Sequence, residues 1–261
     1  MRDHDVKESK LRRAIAILIL IATWTISPPL GEAATIVAVW TRDEIALAAD
    51  SGAEQLLVDQ SPATICKVQK TGKVAYTMAG LYRDPVDSLD TFALARQVFS
   101  GPGLLSDQLN SFQHRVEDPL TKALARLKKE DSKTYDDFFA RKSALSFFAA
   151  SVVQRVPRLV GIDIGGVNET KRVSYTFPAA GTQPEMMMSA GETDALNQLY
   201  LNPPPWLKPH PRSPVALVTF LVLWQSLETP NRTSLPIDVI RVNKTGVHWV
   251  QRKKECEEGK R

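Results

Sequence analysis

The sequence predicts an α+β protein, a four-layer αββα sandwich in which two packed, mainly antiparallel sheets lie between outer helices. Three observations predict it. Short β-branched and apolar runs cluster at the start, the middle and the end of the chain. Pairs of longer runs with helical spacing separate those clusters, and turn signals join the short runs at hairpin distances.

In chain order, TIVAV from Thr35 and IALAAD ending at Asp50 flank the turn-like TRDE, a first hairpin. Antiparallel partners bring their distal ends together, so this hairpin sets Thr35 beside Asp50. ATICKVQ and VAYTMAG (74–80) around TGK form the second hairpin. DPVDSLDTFALARQVFSGPG then changes period: an acidic first turn, apolar Leu89, Phe92, Ala93 and Phe99, and a Gly-Pro-Gly stop predict an amphipathic helix. Leu105, Leu109, Phe112, Val116, Leu120, Leu124 and Leu127 continue with a second helix, which Pro119 should kink or divide. Strands return over 144–153, 158–164 and 172–177, separated by Pro157 and by GGVNETK. The Met186–Met188 run reads as core. A short helix over 192–201, a proline-dense loop, a buried helix over 215–227 and a last hairpin, LPIDVIRV-NKTG-VHWV, complete the domain. Residues 251–261 read as a frayed, charged tail.

Composition narrows the function classes. The 261 residues are 43% hydrophobic and 24% charged, a globular profile. The net charge of +4 comes from basic residues scattered among acids, not from a stripe, which argues against a nucleic-acid partner. Histidines 4, 114, 210 and 248 and the two cysteines have no metal-ligand spacing, and no P-loop or dinucleotide fingerprint occurs, so neither metal nor cofactor is expected. Cys66 and Cys256 either form one disulfide or remain two thiols; the apolar edges around Cys66 suit a small buried hydrophobe.

The first 34 residues read as a secretory signal peptide. Basic residues precede AIAILILIATWTI (14–26), and SPPLGEAA follows with prolines and small residues. A helix of that apolar length spans about 20 Å, less than the ~30 Å hydrocarbon core, so no stable anchor is expected once the signal is cleaved, and the protein is expected to be exported to the periplasm or the extracellular space. The alternative is a chain that keeps 14–26 as a membrane tether. Asn168, Asn231 and Asn243 head three N-x-Thr sequons at predicted turns.

Several of these segments together resemble proteasome β-subunits. TIVAVWTRDEIALAADSG resembles that family's opening, and VAYTMAGL the strand before its first long helix. LVGIDIGG with VSYTFPAAG resembles its mid-chain hairpin and following turn, MSAGETDAL lies where it has Gly-Ser-Gly before a helix, and LPIDVIRVNKTGVHWV resembles its last hairpin. The resemblance covers most of 35–250. It implies an N-terminal nucleophile (Ntn) hydrolase that cleaves a peptide or amide, and self-association, since such subunits stack into rings. In that chemistry the first residue's hydroxyl attacks the amide carbonyl, and its own α-amine, with an ordinary pKa of roughly 7.7–8.0, takes the proton. On this chain the resemblance implies Thr35 as nucleophile, Asp50 as the orienting carboxylate, Lys67 as the nearby cation and Ser189 as a donor on the oxyanion side.

Ungapped counting places the motif one residue away at three points. From Asp50 the nucleophile's place falls on Ala34, with Thr35 next; from Gly80 the lysine's falls on Cys66, with Lys67 next; and the Gly-Ser-Gly serine falls on Ala190, beside Ser189. The late aspartate of the family lies in the LETPNRTS region, where Pro230 stands between Glu228 and Asn231. Signal cleavage after Ala33 puts small Gly31 and Ala33 at the recognition positions and leaves Ala34 first; cleavage after Ala34 puts Glu32 at one of them. A catalytically silent scaffold or peptide-binding protein of the same fold is therefore the alternative. Ser189 within Ser-Ala-Gly-Glu also suits a helix N-cap.

Overall fold

A computed structural model describes residues 34–51, 66–138, 143–165, 173–176, 186–191, 193–203, 213–230, 233 and 235–256. The predicted signal segment (all but its last residue), the proline-dense loop and the sequons at Asn168 and Asn231 lie outside the described residues. Every described residue belongs to one unit, Glu32–Arg261.

The architecture is α+β with antiparallel sheets. The first five-stranded sheet has the order β10 (Met186–Gly191), β1 (Thr35–Trp40), β2 (Glu44–Ala49), β11 (Asp238–Asn243), β12 (Gly246–Gln251). The second has β3 (Val68–Thr71), β4 (Val74–Gly80), β7 (Leu145–Val153), β8 (Val156–Ile164), β9 (Val173–Thr176). Their helices are α1 (Thr91–Phe99), α2 (Leu105–Glu130), α3 (Ser132–Phe138), α4 (Asp194–Leu201) and α5 (Pro214–Glu228).

Period-2 alternation along the strands sorts the apolar side chains into three clusters. Tyr76, Met78, Phe147 and Ile162 of the second sheet pack with Phe99, Phe112 and Leu120 of α1 and α2. Val37, Val39, Ala46 and Ala48 of the first sheet pack with Leu196 of α4 and Val218 and Val222 of α5. The third cluster draws Ile36, Leu47 and Ile240 from the first sheet and Val68, Ala75 and Phe148 from the second. Strands buried on both faces explain why TIVAVW reads as a continuous apolar run instead of alternating with polar residues.

Several expectations are corrected. The helix expected from Asp84 starts at Thr91; Arg83–Asp84 (β5) and Leu89–Asp90 (β6) pair as a small ladder, and the Asp90 carboxylate caps the helix by accepting from Ala93 N at 2.9 Å. Pro119 does not divide α2, which runs unbroken through it. Pro157 is no boundary: it lies inside β8 opposite Val152, and the turn is Gln154–Arg155, both at positive φ, between paired Val153 and Val156. The Met186–Gly191 segment is a strand lying along β1, not only core filler. The charged tail is anchored through Cys256: Gln251 ends β12, Lys253 and Cys256 are buried, and a 3-10 turn spans Lys254–Cys256. The two cysteines form a disulfide, so Cys66 is neither a free thiol nor merely a small hydrophobe.

Candidate active site at the head of β1

The β1–β2 register pairs Ile36 with Ala49, so the next residues outward, Thr35 and Asp50, face each other across the strand ends. Asp50 N donates to the Thr35 carbonyl at 3.2 Å, and Thr35 N donates to Asp50 Oδ1 at 2.9 Å. Lys67 enters from the other sheet, one residue ahead of β3. Its Nζ lies 2.7 Å from the same Asp50 Oδ1. Thr35 and Asp50 are 0% exposed and Lys67 is 3% exposed. A buried carboxylate that receives two N–H donors is compensated, whereas either charge alone at this depth would carry a desolvation cost of several kcal/mol.

Local sequence explains the placement. Thr71 pairs with Val74, leaving Gly72 and Lys73 as a tight turn with Gly72 at φ +58°. That short turn brings Lys67, not Cys66, to Asp50. The Cys66 side chain is instead bonded to Cys256.

A second buried pair abuts the first. Asp238 begins β11 opposite Ala49, and its Oδ1 accepts from Lys253 N at 2.8 Å. Lys253 Nζ lies 3.1 Å from Asp238 Oδ2 and donates to the main-chain carbonyl of Asp50 at 3.3 Å. Burial pushes the Asp238 carboxyl above the usual carboxylate range, against the pull of Lys253. Burial likewise pushes the Lys253 ammonium below the usual lysine range, against the pull of Asp238. Ser51 Oγ donates to the Pro236 carbonyl, tying the end of β2 to the approach of β11. Asp238 carried one faint sequence signal, an acid inside an apolar strand; Lys253, in the run RKKE, carried none.

Of the four residues expected here, Thr35 through its main chain, Asp50 and Lys67 converge, and Ser189 lies two residues further along the neighbouring strand. Ser189 sits in β10 opposite Val37. Its neighbours Met188 and Ala190 pack against the inter-sheet cluster, so alternation puts Ser189 on the other side, with Met187 and the helices. Nor is Ser189 the helix cap, since Thr193 holds that position for α4. The same alternation along β1 puts Ala34, which packs against the inter-sheet cluster, on the inter-sheet side and the Thr35 side chain on the opposite one, the face that Ser189 shares. Gly191, opposite Thr35 at φ +85°, must lack a side chain, because a Cβ there would collide with the Ala34 carbonyl. Glu228 is exposed at the end of α5, and Asn231 lies outside the described residues.

Among the described residues no three His, Cys, Asp or Glu side chains gather as a metal site, and no helix is long and apolar enough to cross a membrane. The Asn243 sequon lies at the β11–β12 turn, where its Oδ1 accepts from Thr245 Oγ1 at 2.6 Å. No family model matches this chain, and no curated protein matches it.

Proposed function

We propose that this chain is an exported, proteasome β-subunit-like Ntn hydrolase, with the αββα sandwich of that family, which becomes active when cleavage of the Ala34–Thr35 bond makes Thr35 the first residue. One observation carries the proposal: Asp50, paired with Lys67, holds the main-chain nitrogen of residue 35, and that nitrogen is the one that cleavage would convert into an α-amine. Thr35 Oγ1 then attacks a peptide or amide carbonyl, the α-amine takes the hydroxyl proton and returns it to the leaving amine, and water resolves the acyl ester. Asp50 orients the amine. The Lys67 ammonium, on the same carboxylate, offsets part of the negative charge that would otherwise keep the amine protonated. The Cys66–Cys256 bridge supports export, since such bonds persist in oxidising compartments. Self-association through the helical faces belongs to the same proposal.

A second reading, a catalytically silent scaffold or peptide-binding protein, is favoured by a different observation: the inter-sheet side at the head of β1 carries Ala34 and Ala190, which have no hydroxyl. Treatment of the exported protein with a β-lactone, followed by peptide mapping, separates the two. The hydrolase acquires an adduct on Thr35 that Thr35→Ala abolishes; absence of any adduct on residue 35 refutes it and leaves the scaffold.

A further inference from the structure

The C-terminal segment makes contacts that a frayed tail would not. Lys253 is fully buried, although it lies 203 residues from Asp50 in the chain, and its ammonium caps the Asp50 carbonyl while its own N–H is held by Asp238. Beyond Asp238, the Lys253 ammonium is attracted by Asp50 and repelled by Lys67. Three residues on, Cys256 is bonded to Cys66, the neighbour of Lys67. The bridge therefore ties together the two segments that deliver the two lysines, one to each side of Asp50.

We infer that the C-terminal segment completes the centre: Lys253 is a positioning residue that fixes Asp50 through its main-chain carbonyl, and the Cys66–Cys256 bridge holds Lys253 in place. This rests on the hydrolase proposal. Asp50 sits just past the last paired residue of β2 with its N–H on the Thr35 carbonyl, and aiming its carboxylate at residue 35 needs its carbonyl held as well. The donor from Lys253 supplies that constraint, and Asp238 keeps the ammonium from seeking the carboxylate already shared by Thr35 N and Lys67. Reduction of the bridge would free the segment after β12, and Lys253 with it.

The experiment compares the full exported protein, oxidised and reduced, with Lys253→Met and Cys256→Ser. Three quantities are read: the rate constant and the half-saturation concentration for β-lactone capture at Thr35, and the amide hydrogen exchange rate at Asp50, whose N–H is bonded to the Thr35 carbonyl. Lys253→Met keeps the side-chain length without the charge; it should lower the capture rate constant about ten- to a hundredfold, the range for losing one hydrogen bond from a charged donor, with half-saturation unchanged. A purely structural loss would instead lower the labelled fraction and leave the rate constant alone. Exchange at Asp50 should quicken in Lys253→Met, in Cys256→Ser and on reduction, and slow again on reoxidation. If Lys253→Met does not fold, the reduced and reoxidised wild-type protein supplies the same comparison. A capture rate constant and an Asp50 exchange rate both equal to wild type overturn the inference. If wild-type Thr35 is never captured, the hydrolase proposal fails by itself; unchanged Asp50 exchange then overturns the positioning role as well, and faster exchange sustains it.

Discussion

Arg126 and Asp50 are each the hub of a charge network, and the two hubs have opposite polarity. Arg126 on α2 is one donor fork with three acceptors: Nε to Asp87 at 3.0 Å, Nη1 to Glu130 at 2.9 Å, and Nη2 to the buried Asp84. Asp50 is one acceptor group with donors from Thr35 N, Lys67 and, on its main chain, Lys253. A guanidinium does not give up its proton at accessible pH, so the Arg126 network can only hold, and what it holds is the β5–β6 ladder against the long helix. The Asp50 network gathers a carboxylate, two ammonium groups and the Thr35 main chain at the end of a strand and not inside a helix. The first is a clamp; the second is the centre on which the hydrolase proposal rests.

The comparison can be broken first at its deepest point. Asp50→Ala leaves the Lys67 ammonium buried without its carboxylate, and urea unfolding should show a loss of about 3–5 kcal/mol, the cost typical of removing one partner of a buried pair. Opening the bridge with Cys256→Ser releases a chain loop of 190 residues and should cost about 3–5 kcal/mol, read as a lower midpoint in the same titration. Arg126→Ala unpairs the buried Asp84 while Arg126 itself is 20% exposed; a loss of about 1–3 kcal/mol is expected, without effect on Thr35 capture. Lys122→Ala breaks an exposed helical pair with Asp118 and should leave the unfolding midpoint unchanged.

A further effect is a slope. Because burial raises the Asp238 carboxyl in the folded protein, the native state binds more protons than the unfolded chain around and above the ordinary value of 3.8. Its contribution is present below that value and is lost as pH rises through the raised one. Stability measured from acid toward neutral pH should therefore fall more, or rise less, in the wild type than in Asp238→Asn. Equal slopes would remove Asp238 as the cause.

The sequence made the first hairpin legible, because two apolar runs around TRDE have one sensible register, and that register alone puts Thr35 beside Asp50. Lys67 was legible only as the neighbour of Cys66, since the choice between them depends on the Gly72–Lys73 turn length. The capping signal in Ser-Ala-Gly-Glu lost to strand pairing: Met186–Gly191 completes an edge along β1, and the helix waits until Thr193. Pro157 misled for a related reason. The β9 partner reaches only to Val160, so among the described residues Pro157 has a ladder on one side alone, where a proline is tolerated. The Gln154–Arg155 turn has no glycine to announce it. The tail was illegible in principle, for the burial of Lys253 depends on Asp238 and on a disulfide whose partner is 190 residues away.

Which atom becomes the first nitrogen of the processed chain decides the central claim most directly. Intact-mass analysis of protein recovered after export should give a chain that begins at Thr35, with the amine already facing Asp50. A mass for a chain beginning at Ala34 contradicts it, because the nitrogen held by Asp50 would then still be an amide, with no basic lone pair to take the hydroxyl proton.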